Sequence, residues 1–249
     1  MRRVRVVGVG MGPHHLTREA SEALAGADFV LAARKGPDDE LLGVRRRICA
    51  EHDLELVEVP DPPRDRDDPA DYLGAVRTWH QARTSAYADA LGARRGTAAF
   101  LVWGDPSLYD STLRVVEGLA ERMPLDWDVV PGISAPQLLA ARHRVVLHEV
   151  GRPVHLTPAR RLPDALAAGQ RNVLVMLGSE DSLTAIGATA GLEDWQIWWG
   201  ANLGAAGERL VAGALADVLP DLVDARAAAR AEAGWVMDAF LLRAPDDVS

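Results

Sequence analysis

The segment from Ala98 to Ser111 places a tight turn between an apolar stretch and an amphipathic one. The five apolar residues Ala98–Val102 are typical of a buried strand. Gly104-Asp105-Pro106 then stops this strand, because proline cannot continue the ladder and glycine lets a ligand or another chain segment approach closely. Apolar residues return at helical spacing and predict a helix over residues 108–122. Ligands of open α/β sheets bind at the carboxyl ends of strands, so this turn is a candidate binding site. A turn in which Asp105 only caps the helix explains the tripeptide as well.

A glycine-rich turn also follows the first predicted strand, residues 4–9. It reads GVGMGP, Gly8–Pro13, and it is followed by a predicted helix that ends at Gly26 and a predicted strand at residues 28–32. This order is that of a dinucleotide-binding unit. Here the third glycine comes one residue early, and Ala33-Arg34-Lys35 stands where an acidic residue would bind a ribose. The sequence therefore argues against a nicotinamide or flavin site.

A third turn, Val130–Ser134, follows a predicted strand at residues 127–130 and precedes a predicted helix at residues 135–142. Ser134 suits the N-cap of that helix, and its hydroxyl and the neighbouring amides suit a polar group of a ligand equally well. We place a domain boundary here, with one α/β domain over residues 1–131 and a second over residues 132–249. We name Gly8–Pro13, Trp103–Pro106 and Val130–Ser134 the first, second and third turns.

The same periodicities predict the remaining elements and an α/β fold with two α/β domains. Further helices are predicted at residues 38–52, 73–91 and 215–232, and an exposed loop at residues 61–71. Further strands are predicted at residues 54–59, 145–147, 154–156, 173–177, 197–199, 209–212 and 235–242.

Composition excludes several classes of protein. A net charge of −9 argues against a general nucleic-acid surface. No apolar run is long enough for a membrane span, and no signal peptide is visible, so we expect a cytoplasmic protein without a membrane partner. The single cysteine, Cys49, excludes an internal disulfide framework. His14, His15 and His155 do not have the spacing of a zinc site, so no metal is expected.

The three turns, GVGMGP, WGDPSLY and VPGIS, in this order and on a chain of 249 residues, resemble the tetrapyrrole (corrin/porphyrin) methylase family. The resemblance implies two α/β domains with S-adenosylmethionine in the cleft between them, a tetrapyrrole substrate and a homodimer. The stretches KGPDDELLGVRRRIC, FLVWGDPSLYDSTLR, VPGISAPQLLAARHRV and GW-MDAFLLR most resemble members that methylate C1 of precorrin-5 with loss of acetate, in cobalamin synthesis. The first turn departs from the common family opening G-P-G-D, because it reads Gly12-Pro13-His14-His15 and lacks the aspartate.

The resemblance also implies which residues contact the cofactor. They are carried over from the three turns and from two predicted strand ends of the second domain: Met11, Trp103, Gly104, Asp105, Leu108, Ser134, Ala135, Met176 or Leu177, Gly200 and Ala201. Buried strand or core positions explain Met176 and Leu177 as well.

Methyl transfer from a sulfonium needs alignment more than acid–base groups, whereas loss of an acetyl group needs water attack on a carbonyl and is helped by a general base. We take Asp105 and Tyr109 as the candidate catalytic residues. Asp110, His14, His143, His148 and His155 are further candidates, although each of these groups also suits a cap, a surface or a core position. Arg160 with Arg161, and Arg142 with Arg144, are candidates to bind substrate carboxylates unless they are simply solvated.

Two alternatives remain at this point. A near one is another methylase of the same family, which acts at a different ring carbon or on the diphthamide histidine of a protein. A distant one is a nucleotide-binding module without catalytic activity.

Overall fold

The computed structural model describes residues 1–34, 40–63, 72–205 and 207–245. The chain forms two compact units, unit 1 over residues 1–134 and unit 2 over residues 135–249. Parts of the predicted helix at 38–52 and most of the predicted loop at 61–71 lie outside the described residues. None of the helices described is long and apolar enough to cross a bilayer.

Unit 1 is built on a five-stranded parallel sheet in the order β3-β2-β4-β1-β5. The strands are β1 Arg2–Gly8, β2 Phe29–Arg34, β3 Glu55–Pro60, β4 Thr97–Val102 and β5 Leu125–Val130. The helices are α1 Arg18–Ala25, α2 Glu40–Glu51, α3 Tyr72–Gly92 and α4 Thr112–Ala120.

Successive side chains along the strands of unit 1 point to opposite faces of the sheet, and both faces are buried. Val4 and Val6 pack in a core with side chains of α3 and α4, whereas Val7 and Val9 pack in a core with side chains of α1 and α2. Parallel strands covered on both faces read as continuous apolar runs, which explains the pattern of β1 and β4. Because β1 lies between β4 and β5, the first, second and third turns emerge side by side at one edge of the sheet.

Unit 2 has a mixed five-stranded sheet in the order β6-β7-β10-β8-β9. Its strands are β6 His155–Pro158, β7 Asn172–Met176, β8 Gln196–Ala201, β9 Arg209–Ala214 and β10 Asp238–Arg243. Its helices are α5 Ala135–His143, α6 Leu162–Ala167, α7 Glu180–Gly187 and α8 Leu215–Ala233. Strand β10 runs antiparallel to both β7 and β8, so the carboxyl ends of β7 and β8 flank its amino end. The predicted α/β class is confirmed.

The predicted strand at residues 145–147 is wrong. The N–H of Val145 donates to Ala140 O at the end of α5, at 3.0 Å. The carbonyl of Leu147 accepts hydrogen bonds from Asn172 Nδ2 at 2.9 Å and Arg243 Nη2 at 3.1 Å. The end of α5 and two side chains, rather than a neighbouring strand, therefore satisfy this backbone, and the segment has no ladder.

Two predicted element starts are also wrong, for the same reason. Helix α4 begins at Thr112 rather than residue 108, because the carboxylates of Asp105 and Asp110 accept from the N–H groups of Ser107 and Thr112 and hold a non-helical loop. Strand β10 begins at residue 238 rather than 235, because residues 235–237 bond to a side chain instead of to a strand. Helices α6 and α7 were not predicted.

Candidate active site

The backbones of the first and second turns are hydrogen-bonded to each other. Gly10 N–H donates to Gly104 O at 3.2 Å, and Gly104 N–H donates to Gly10 O at 2.8 Å. Both residues have a left-handed backbone, with φ of 68° at Gly10 and 71° at Gly104. That conformation strains any residue with a Cβ, so the pairing depends on glycine at both positions.

The third turn lies against the other two through a backbone contact. A Cβ placed on Gly8 would stand 2.5 Å from Gly132 N and 2.9 Å from Gly104 O. A Cβ placed on Gly132 would stand 2.9 Å from Gly8 Cα and would clash with Gly104 O. The three turns that the sequence singled out are therefore one assembly, in which main chain packs directly on main chain.

Asp105 ties the second turn to the third. Its Oδ2 accepts from Gly132 N–H at 2.9 Å, and its Oδ1 accepts from Ser107 N–H at 2.9 Å and from the Ser107 hydroxyl. The carboxylate therefore does not cap α4, which begins seven residues later in the chain, at Thr112. It organises the loop instead.

The hydrogen bonds to Asp105 also set its charge. Partial burial on its own would raise the pKa of this carboxyl, but the bonds from the Ser107 hydroxyl, Gly132 N–H and Ser107 N–H outweigh burial and lower the pKa below its ordinary value. An ionised carboxylate that already accepts three hydrogen bonds is a weak general base, so the geometry favours a positioning role for Asp105.

Met11, Gly104 and Ser134 lie together beside the joined turns. Met11 and Ser134 are each 5% exposed, and a Cβ on Gly104 would stand 3.5 Å from Met11 Sδ and 3.9 Å from Ser134 Cα. Those are ordinary contact distances, so packing within unit 1 does not itself exclude a methyl group there. Gly104 therefore presents buried backbone without a side chain, with Met11 Sδ and Ser134 beside it.

Trp103 and Leu108 flank the Gly104-Asp105-Pro106 segment and are both half-buried. The indole Nε1 of Trp103 is buried and has no hydrogen-bond partner among the residues that the structure describes. Leu108 N–H donates to Asp105 O at 3.2 Å, which closes the turn. A buried donor without an acceptor is uncommon in folded proteins and suits a site that receives a polar ligand atom.

Tyr109, the second candidate catalytic residue, is 41% exposed and has a left-handed φ of 52°. A non-glycine residue in that region is uncommon, and such strain is concentrated at functional sites. The same loop is anchored by Arg83 of α3, whose Nη1 donates to Ser111 Oγ at 3.0 Å and whose Nε lies 3.0 Å from Asp61 Oδ1. The role of Arg83 was not predicted, because nothing in the sequence distinguishes it from the other residues of the predicted helix at 73–91.

In unit 2, four of the five predicted cofactor residues stand at one edge of the sheet. Met176 ends β7, and Leu177 follows it with a left-handed φ of 57° and a side chain that is 55% exposed. Gly200 and Ala201 end β8 and are buried. Ala135 opens α5, directly after Ser134 in the chain.

Two residues beside these strand ends were not predicted, Asn202 and Asp238. Both are buried polar side chains, 1% and 5% exposed, and both bond to neighbouring backbone or side chains. Their positions in the sequence could have indicated them, because Asn202 directly follows Gly200-Ala201 and Asp238 interrupts the apolar run of the last strand.

The candidate substrate arginines lie on the surface of unit 2. Arg160 and Arg161 are exposed in the short 3₁₀ helix after β6, and Arg161 Nη1 lies 2.8 Å from Asp164 Oδ2. Arg142 pairs with Glu208 at 2.9 Å. The role of all three as carboxylate ligands stays a prediction.

Two of the four candidate histidines lie against backbone carbonyls. His143 Nε2 lies 2.9 Å from Trp199 O, and His148 Nδ1 lies 3.2 Å from Glu149 O. His14 lies in the short 3₁₀ helix Pro13–His15, and His155 is the first residue of β6. Within the described ranges, no group of three or more His, Cys, Asp or Glu is arranged to hold a metal ion.

Comparison with known proteins identifies the family. The family model of tetrapyrrole (corrin/porphyrin) methylases matches residues 3–219. The chain belongs to this family. The tetrapyrrole methylase most informative about activity is a precorrin-6A synthase [deacetylating] from Sinorhizobium sp, which is 40% identical over 256 residues, 98% of this chain and 95% of that protein.

Solved structures of this family are also similar to the chain. A putative cobalamin synthesis related protein (CobF) from Corynebacterium diphtheriae has a TM-score of 0.82 and 36% identity, covering 99% of this chain and all of that one. A uroporphyrin-III C-methyl transferase from Thermus thermophilus, complexed with S-adenosyl homocysteine, has a TM-score of 0.62 and covers 97% of each chain. At 21% identity, the second structure supports the fold alone.

Proposed function

We infer that this tetrapyrrole methylase transfers a methyl group from S-adenosylmethionine to C1 of precorrin-5 and releases the extruded two-carbon unit as acetate, giving precorrin-6A. The observation that carries this conclusion is the 40% identity to a precorrin-6A synthase [deacetylating] over almost the whole of both proteins. The similarity to the CobF structure over its full length points the same way.

The residues of unit 1 fit the proposed cofactor. S-adenosylmethionine has an amino-acid group that needs backbone donors and acceptors, and apolar parts that need apolar walls. The Gly104 carbonyl accepts from Gly10 N–H and can accept a second hydrogen bond, and Ser134 adds a hydroxyl beside it. Met11, Trp103 and Leu108 provide the apolar surface. Asp105 keeps this backbone in place through Gly132 rather than reacting.

The residues of unit 2 proposed to contact the cofactor are Ala135, Met176, Leu177, Gly200 and Ala201. Met176 and the exposed Leu177 provide an apolar surface at the end of β7. A Cβ placed on Gly200 would stand 2.7 Å from Leu203 Cδ2 and 3.0 Å from Leu139 Cδ1, so this side of the residue is filled. A ligand can therefore contact Gly200 only along its backbone.

When bound, S-adenosylmethionine supplies a methyl group that leaves its sulfonium and forms a bond to the ring carbon. Loss of the acetyl group requires water to add to its carbonyl carbon, after which the carbon–carbon bond breaks and its electron pair returns to the macrocycle. The protein has to align the substrate and hold the carbonyl oxygen and the water. Tyr109 is the proposed donor to that oxygen, because it is exposed on the loop that begins at Asp105.

The decisive experiment is a single-turnover reaction of the protein with precorrin-5 and S-adenosylmethionine, followed by mass measurement of the product and an assay of acetate. We expect one methyl group gained and one acetate released for each turnover. A product that keeps its acetyl group would refute the deacetylating activity but not the methyltransferase. Methylation at another carbon would support a different methylase of the family, and cofactor binding without turnover would support the non-catalytic alternative.

The proposal extends to a cytoplasmic homodimer that takes a small tetrapyrrole substrate and needs no nucleic acid, membrane or metal. Its basis is the family membership together with the composition of the chain. Sedimentation of the purified protein tests the dimer, and a single species with the mass of one chain would contradict it.

A further inference from the structure

The segment Trp235–Asp238, which leads into β10, contacts both strand ends that carry the proposed cofactor residues of unit 2. We name these strand ends the 176–178 turn and the 200–202 turn. Strand β10 lies between β7 and β8, so its amino end reaches both turns at the same sheet edge. No residue of this segment has been given a role in the proposed function.

Asn202 joins the 200–202 turn to this segment through its backbone and its side chain. Its N–H donates to Met237 O at 2.8 Å, its Oδ1 accepts from Met237 N–H at 3.0 Å, and its Nδ2 donates to Trp235 O at 3.2 Å. The residue is 1% exposed and has a left-handed φ of 49°. Asparagine tolerates that backbone better than most residues, and here its side chain also satisfies two part-buried backbone groups.

Asp238 lies against the 176–178 turn. Its Oδ2 accepts hydrogen bonds from Arg226 Nε at 3.0 Å and from Trp199 Nε1 at 3.4 Å. A Cβ on Gly178 would stand 2.8 Å from Asp238 Cγ and 3.0 Å from Oδ2, so the carboxylate occupies the space beside this glycine. Its Oδ1 has no hydrogen-bond partner among the described residues, although the side chain is fully buried.

These contacts are an inefficient way to stabilise a core. A buried ion pair often stabilises the fold no more than apolar residues of the same volume do. A buried carboxylate oxygen without a hydrogen-bond partner lowers the stability further. Both contacts act on turns with non-glycine residues in the left-handed region, Leu177 with φ of 57° and Asn202 with φ of 49°. Backbone strain of this kind persists only where the surrounding structure enforces it.

We propose that Asn202 and Asp238 are positioning residues that hold the 200–202 turn and the 176–178 turn in the conformations that bind the cofactor. This inference rests on the proposed function, and it assigns the role to side chains that need not touch the ligand. Removing either side chain should weaken cofactor binding far more than an equally destabilising change at the other end of the same sheet.

Asn172 provides the matched control for Asn202. It stands at the opposite end of β7, where its Nδ2 donates to Leu147 O and Pro153 O and its Oδ1 accepts from Arg243 Nε. Asn202→Gly removes the side-chain bonds while it still permits the left-handed backbone, and Asn172→Gly makes the same chemical change. S-adenosylhomocysteine is the probe, with its dissociation constant measured by titration calorimetry on the full-length protein and the thermal midpoint measured in parallel.

We expect both glycine variants to lower the thermal midpoint, but only Asn202→Gly to weaken S-adenosylhomocysteine binding by tenfold or more, with a change below twofold in Asn172→Gly. Asn202→Gly should raise the KM for S-adenosylmethionine more than it lowers kcat. Equal affinities in the two glycine variants would overturn the positioning role of Asn202. A wild-type protein that fails to bind S-adenosylhomocysteine would instead overturn the proposed function, and this inference with it.

Asp238→Asn tests the second residue, because it keeps the shape of the side chain and removes its charge. We expect at least tenfold weaker binding of S-adenosylhomocysteine and shifted amide resonances at Leu177 and Gly178. If Asp238→Asn does not fold, Arg226→Met combined with Asp238→Asn removes both buried charges and is measured in the same way. Wild-type affinity in the folded variant would overturn the role of Asp238.

Discussion

The carboxylate of Asp105 accepts a hydrogen bond from the backbone N–H of Gly132 at 2.9 Å, across 27 residues of sequence. This bond links the ends of β4 and β5, and the two bonds from Ser107 hold the same carboxylate within its own loop. Asp105 therefore contributes to the site by fixing the relative positions of two turns, and its own chemistry is secondary.

Replacing Asp105 with Ala should weaken S-adenosylmethionine binding by about tenfold or more and lower the free energy of unfolding by about 1–2 kcal/mol, because Gly132 and Ser107 lose a charged acceptor. Titration calorimetry and urea denaturation measure the two effects. Asp110→Ala is the control, since Asp110 caps Thr112 in the same loop without contacting the third turn. Unchanged cofactor affinity in Asp105→Ala would remove Asp105 from the site.

The pH dependence of the unfolding free energy should report the ionisation of Asp105. Its pKa in the folded protein is lowered, so its contribution is present above its ordinary value of 3.8 and is lost as pH falls through the folded-state pKa. The difference in unfolding free energy between the wild type and Asp105→Asn should therefore shrink as pH is lowered from about 5 to about 3. A difference that stays constant over this range would show that the charge on Asp105 is not involved.

Gly104→Ala should impair cofactor binding without a clash inside unit 1. The new methyl group meets Met11 Sδ at 3.5 Å, so folding is affected mainly by the strain of a left-handed alanine, about 1–2 kcal/mol. Gly191→Ala carries similar strain, with φ of 83° and nothing within 4 Å of its Cβ, and serves as the control. We expect equal losses of stability but at least tenfold weaker S-adenosylmethionine binding only in Gly104→Ala. Equal binding in both variants would refute the role of Gly104.

Much of the fold follows from the sequence, because unit 1 is built from continuous apolar strands and short glycine turns. The segments at residues 4–9, 28–32 and 98–102 each match a strand within a few residues. Prediction failed where side chains replace main-chain partners, at residues 145–147, 108–111 and 235–237. Which distant side chain will satisfy a backbone group is a property of the folded chain and is not encoded in local periodicity.

The site was predicted in part for a related reason. The three turns were found because glycine and proline mark them in the sequence, and the structure brings them together at one sheet edge. Arg83, Asn202 and Asp238 leave no comparable mark, because each acts on residues that are remote in the sequence or separated by a full strand. The proposed contacts to cofactor and substrate stay predictions.

Arg160→Ala combined with Arg161→Ala should raise the KM for the tetrapyrrole substrate by about tenfold, with little change in S-adenosylmethionine affinity. Both side chains are exposed, and an exposed pair such as Arg161 with Asp164 contributes little to stability, so the fold should be unaffected. Paired guanidinium groups are suited to carboxylates of the substrate. Arg18→Ala, an exposed arginine of unit 1, is the control. An unchanged KM would show that Arg160 and Arg161 are simply solvated.

Arg226→Met should destabilise the protein by about 3–5 kcal/mol, because it leaves the buried carboxylate of Asp238 without its cation. Adding Asp238→Asn to that variant should recover part of the loss, since the uncompensated charge is removed. Urea denaturation of the wild type, the two single variants and the double variant gives the coupling energy. Additive effects would show that the two side chains do not interact in solution.

Cys49 should be unreactive in the folded protein. Burial raises the pKa of its thiol to about 11 against the opposing charge of Arg45, and the residue is 2% exposed. At pH 8 the thiolate is therefore scarce as well as inaccessible. A chromogenic disulfide reagent should detect about one thiol in urea and almost none in buffer, whereas rapid reaction in buffer would contradict the burial of Cys49.

The direct packing of Gly8, Gly104 and Gly132 has a consequence for how this enzyme can change over generations. Where side chains meet, a larger residue on one side is tolerated if a smaller one appears on the other. Where main chain meets main chain, no partner can shrink, so a substitution at Gly8 or Gly132 has no second-site suppressor in the opposing turn. A second substitution within the three turns therefore cannot compensate for the first. Variation in substrate preference has to arise in the loops around them.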